Sequence, residues 1–127
     1  MIRIYGLDEH LAPRRKAISD TVHRCMVDVL GMPENKRAQR FIRLERGDFF
    51  MPEGRTDAYT VIEMCLIEGR KMETRKQLIR TLFARFESQL GIAPADLEIT
   101  ISERPAHDWG FRGKPGDELA LTYKIDV

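Results

Sequence analysis

The chain has 127 residues, with 21 Lys and Arg against 20 Asp and Glu for a net charge of +1, and 43% of its residues are hydrophobic. That length can bury one sizeable core, while the balanced charge excludes a general nucleic-acid binder and the apolar content excludes a disordered chain. Cys25 and Cys65 stand far apart without disulfide-framework or zinc spacing, and no run approaches the roughly 18 apolar residues of a membrane span, so a cytoplasmic protein without metal, cofactor or membrane partner is expected.

Ile2-Arg3-Ile4-Tyr5-Gly6-Leu7 alternates in strand fashion, and Pro13 in the polar stretch behind it is placed to open a helix. From Arg14 to Leu30, Ile18, Val22, Met26, Val29 and Leu30 recur at helical steps, with Gly31 placed as the C-terminal cap. After Met32-Pro33, Ala38 to Leu44 reads as a second strand interrupted by Arg40 and Arg43. Glu45 to Thr56, with Gly47, Pro52 and Gly54, reads as a loop. Tyr59 to Ile67 is long and mostly apolar, and its weak alternation predicts a central strand covered on both faces. Lys71 to Leu90 repeats helical spacing through Leu78, Leu82, Phe86 and Leu90, and Gly91 repeats the cap. Leu97 to Ser102 predicts a fourth strand, Glu103 to Gly116 a loop, and Leu119 to Ile125 a short terminal strand.

Strand, helix, Leu30-Gly31, proline and strand therefore recur as strand, helix, Leu90-Gly91, proline and strand, with the capping glycines 91 − 31 = 60 residues apart. The expectation is one α/β (α+β) domain over residues 1–127, built of pseudo-repeats at about 1–57 and 58–127. Each repeat is a β-α-β unit, which together give a four-stranded sheet with two helices on one face. The bare second face then needs a neighbouring subunit to cover the apolar central strand.

Arg70 closes the turn Glu68-Gly69-Arg70 between the third strand and the second helix, where a guanidinium suits a carboxylate; a plain surface arginine is the other reading. Lys36, Arg37, Arg40, Arg43 and Arg46 crowd one stretch, but Arg40 and Arg43 point to opposite faces of a strand, which favours solvated or interface positions over a nucleic-acid stripe. Arg40 interrupts an apolar strand, and a partly buried arginine there calls for an anionic partner. The loop Pro105 to Gly113 holds Trp109, Phe111 and Arg112 and is either a pocket wall or a structural plug. His10, His23 and His107 have no metal-ligand spacing, His23 and Cys25 read as packing or surface residues, and Asp20 and Asp28 lack the companions of a nucleophilic triad.

The two β-α-β units, the Glu68-Gly69-Arg70 turn, the Leu90-Gly91-Ile92-Ala93-Pro94 helix exit and the Asp108-Trp109-Gly110-Phe111 loop together resemble the tautomerase superfamily, the group of 4-oxalocrotonate tautomerase, malonate semialdehyde decarboxylase and macrophage migration inhibitory factor. The likeness spans essentially the whole chain. It implies a homotrimer with pockets near subunit boundaries, in which an N-terminal proline moves protons on enols and 2-oxo acids while arginines hold the carboxylate. Arg70 and Arg40 match the family's arginines, Trp109 its pocket aromatic, and Glu98 stands in the second unit where Arg40 stands in the first.

The chain departs from that pattern at its start, where Ile2 and not proline follows Met1, so the amine offered is the primary amine of a retained Met1. Lys36 stands where the decarboxylase-like members have an aspartate, which argues against decarboxylation or hydration. The resemblance thus implies enol–keto tautomerisation of a small 2-oxo or enol carboxylate, with Met1 and Arg70 catalytic and Arg40, Trp109 and Phe111 binding substrate. The alternative is a catalytically silent trimer that binds a carboxylate or a protein partner.

Overall fold

The structure, a computed structural model, describes all of residues 1–127. Its main sheet holds β1 (Ile2–Leu7), β2 (Gln39–Leu44), β3 (Thr60–Ile67) and β4 (Leu97–Arg104) in the order β2-β1-β3-β4. Strands β1 and β2 are parallel, as are β3 and β4, whereas β1 and β3 run antiparallel at the centre. Each parallel pair is joined by a helix crossover, α2 (Arg15–Leu30) or α3 (Met72–Leu90), preceded in the first unit by the short α1 (Asp8–Leu11). Ile2 pairs with Gln39 and Thr60 with Leu97, so both units share one register at a spacing of 58 residues. The caps lie 60 apart, and the connections on either side of them absorb the difference.

Both helices end alike. Gly31 and Gly91 take left-handed φ angles of 68° and 66°, their N–H groups donate to Val27 and Glu87, and the next N–H in each case reaches back to Met26 or Phe86. Only a residue without Cβ adopts that conformation freely. Ile18, Val22, Leu30, Leu78, Leu82 and Phe86 from the helices close on Ile2, Ile4, Ile62 and Met64 from the strands, forming one buried cluster.

The central strand corrects one expectation. Thr60, Ile62, Met64 and Leu66 are buried, but Val61, Glu63 and Cys65 alternate with them onto the uncovered face, and Glu63 is exposed. The register puts Arg3 beside Arg40 and Glu63, Tyr5 beside Ile42 and Val61, and Glu98 beside Val61, so that face is mixed and charged rather than apolar. Arg40 is exposed on it and makes no ion pair within the protomer, contrary to the partly buried arginine expected there.

A second correction concerns the C-terminus: Leu119 to Ile125 is not a strand. Its side chains still alternate, with Leu121, Tyr123 and Ile125 turned inward, but no strand of the chain lies alongside to pair its backbone. Its backbone anchors are instead isolated: Leu119 N–H donates to the Gly116 carbonyl, Val127 N–H to that of Ile125, and the distant Lys71 N–H to that of Val127. The loop ahead of it carries an unexpected hairpin, β5 (Gly110–Phe111) with β6 (Lys114–Pro115). The expected loop after β2 is irregular apart from one turn at Arg46–Asp48, and it is pinned by Arg46 to Asp57 and Glu9 and by Thr56 to Asp96.

Candidate active site

One end of the central strand pair opens into a cavity of about 100 Å³. The antiparallel register brings the start of β1 to the end of β3: Met1 and Cys65 form the last rung, with the Met1 amine donating to the Cys65 carbonyl and the Cys65 N–H returning to the Met1 carbonyl, both at 2.8 Å. The amine is thereby fixed in the cavity wall. Burial pushes its pKa below the ordinary α-amino value; the Cys65 thiol opposes that shift, and the positive charges of Arg40, Arg3 and Arg70 reinforce it.

Arg70 enters the same cavity from the turn between β3 and α3, and it is buried, at 5% exposure, rather than a surface residue. Its Nη1 donates to the Ile67 carbonyl at 3.0 Å and its Nη2 lies 3.9 Å from the weakly accepting sulfur of Met32. The buried Nε has no partner. Burial disfavours the guanidinium charge, offset in part by Tyr123 and Glu103. Glu103 is itself engaged elsewhere, with one oxygen 3.1 Å from Arg75 and the other accepting the Gly69 N–H at 3.4 Å. A buried guanidinium without a carboxylate of its own carries an uncompensated desolvation penalty that a bound anion relieves.

The remaining wall is largely apolar. Trp109 and Phe111 stack at 5.4 Å with their planes 14° apart and both line the cavity, so the Pro105 to Gly113 loop is a pocket wall as well as a packing element. Met26, Met32, Leu121 and Tyr123 complete it, and Lys36, Arg37 and Arg112 bring further positive charge, while no Asp or Glu lines the cavity. Arg37 is tied to Asp20 at 2.7 Å; Lys36 sits 5.0 Å from the centre of the Tyr123 ring. An anion with an apolar body fits this combination.

Of the residues singled out from sequence, Met1, Arg70, Trp109 and Phe111 come together here, whereas Arg40 lies outside the wall on the open sheet face and reaches the site only through its field on the amine. Sequence reading missed Tyr123, Leu121, Met32 and His23 as lining residues. The period-two alternation of the C-terminal segment held the signal for the first two, since it already placed Leu121 and Tyr123 on one side. His23 is buried at the cavity edge with its Nε2 2.7 Å from the Glu34 carbonyl, a packing role that its helical position allowed.

A family model described as a tautomerase enzyme matches residues 36–112. The chain is 29% identical over 99 residues to the probable tautomerase YusQ of Bacillus subtilis, an alignment covering 74% of this chain and 78% of that one. Its fold superposes on malonate semialdehyde decarboxylase with a TM-score of 0.83 at 23% identity, over 94% of this chain and 99% of that one. A fused 4-OT described as an asymmetric trimer matches with a TM-score of 0.79 at 25% identity, over 91% of this chain and 95% of that one.

Proposed function

The chain belongs to the tautomerase family, and from that premise we propose that its cavity moves a proton between oxygen and carbon of a small 2-oxo or enol carboxylate. The observation that carries this reading is the buried, acid-free guanidinium of Arg70 in the same cavity as an amine held below its ordinary pKa. Arg70 holds the substrate carboxylate, and Trp109 and Phe111 cover the rest of the molecule. The neutral Met1 amine takes the enol O–H proton as the carbonyl forms and delivers a proton to the adjacent carbon, so that the amine ends each turnover unchanged. Arg40 and Arg3 favour the neutral amine through their charge.

The proposed assembly is a homotrimer formed over the open sheet face, whose interleaved Arg3, Arg40, Glu63 and Glu98 offer charges of both signs to a neighbour. The rival reading, a silent carboxylate-binding trimer, is supported by Ile2 in place of the family's proline, because a primary amine replaces the secondary one. Hydrogen–deuterium exchange at the carbon beside the carbonyl of 2-oxobutyrate, followed by NMR, separates the two. Exchange accelerated by the protein and lost in Arg70→Ala supports catalysis; binding without accelerated exchange leaves the silent binder standing.

A further inference from the structure

The C-terminal segment contributes one functional group to the cavity that the reading above leaves unused. Tyr123 projects from a stretch with no strand partner, yet its position is well determined: two residues on, Ile125 packs into the space beside Gly69, and four residues on, the Val127 carbonyl accepts the Lys71 N–H at 2.9 Å. Both anchors flank Arg70 in sequence. The phenol consequently shares one cavity wall with two cations, Lys36, 5.0 Å from the ring centre, and the buried Arg70. A phenol O–H can donate, and no hydrogen bond within the protomer engages that of Tyr123, so it stands available to an anion entering beside Arg70.

We infer that Tyr123 is a positioning residue for the substrate carboxylate, donating its O–H to the carboxylate that Arg70 attracts into the cavity they share. The inference rests on the reading of Arg70 as the carboxylate anchor. It adds a second, neutral donor to that anchor, directed by the C-terminal segment. The same arrangement gives selectivity. A carboxylate satisfies both donors with a full negative charge, whereas a neutral amide oxygen gains far less from facing them.

Calorimetric titration of the full chain with benzoylformate tests this, because that 2-oxo acid has an aromatic body suited to the Trp109–Phe111 wall and no hydrogen to exchange. Its neutral amide serves as the control. Tyr123→Phe retains the ring and its stacking under Lys36 and removes only the hydroxyl. The expected result is about tenfold weaker binding of the acid, with the amide and the unfolding temperature unchanged. Unchanged acid binding overturns the inference, and so does an equal loss for acid and amide, which would assign Tyr123 to the apolar wall alone. A wild-type chain that does not bind the acid overturns the reading of Arg70 itself and takes the Tyr123 assignment with it; loss in Arg70→Ala but not in Tyr123→Phe overturns only the latter.

Discussion

Ile125 occupies the space that any side chain at position 69 would need: a Cβ placed on Gly69 comes within 2.8 Å of the Ile125 Cγ2. Because Gly69 also has a φ of 142°, which L side chains rarely adopt, one glycine both shapes the turn before Arg70 and receives the C-terminal segment that carries Tyr123.

Gly69→Ala is therefore expected to cost about 1–3 kcal/mol from backbone strain and from displacing Ile125. Thermal unfolding measures the first effect. Hydrogen exchange measures the second: the Lys71 amide, whose partner is the Val127 carbonyl, should lose protection more than the amides of β1 and β3. Equal protection throughout would show that the segment is held without Gly69.

Arg70→Ala should abolish carboxylate binding, by a hundredfold or about 3 kcal/mol, while shifting the unfolding temperature only slightly. The loss of the Ile67 carbonyl's donor is offset by removal of a buried charge that has no acidic partner in the protomer. Arg70→Lys should recover little affinity, since an ammonium cannot reproduce the planar fork. A large drop in stability with binding intact would return Arg70 to a structural role.

Only the neutral amine accepts a proton, so activity should rise with pH along a limb set by the Met1 amine. Burial and the neighbouring arginines place that limb below the ordinary α-amino value, which is about 7.7–8.0. Removing a positive charge with Arg40→Met raises the amine's pKa and should move the limb to higher pH. Inserting a proline between Met1 and Ile2 should permit trimming of the methionine and expose a secondary amine in the same register, with a gain in enol–keto turnover. Intact-mass analysis establishes the N-terminus of each variant. No gain in a correctly trimmed variant would favour the silent binder.

The open sheet face should bring three copies together at micromolar concentration, as read by sedimentation equilibrium. Val61 lies on that face between Tyr5 and Glu98. Val61→Glu adds a second negative charge directly beside Glu98 and should yield monomers that retain the helix-side core, visible as unchanged far-ultraviolet circular dichroism. A wild-type monomer would overturn the trimer.

The periodicities of the chain were sufficient to determine the two β-α-β units, both helix caps and the helix-side core, because a helix or strand with one buried face writes that face into its own local spacing. Leu78, Leu82 and Phe86 show this at four-residue steps, and Gly31 and Gly91 punctuate it. Sequence likeness also marked Met1, Arg70, Trp109 and Phe111. What local spacing does not encode is which ends meet. The antiparallel pairing of β1 with β3 carries Met1 to Cys65, 64 residues away, and so makes the amine and Arg70 walls of one cavity. The alternating C-terminal segment misled for the same reason: alternation reports that one side of a chain is covered, not whether a neighbouring strand exists to pair its backbone. In the folded protomer that covered side faces a pocket, and Tyr123 shares it with Arg70 only because the tertiary structure lays Ile125 on Gly69 and Val127 on Lys71.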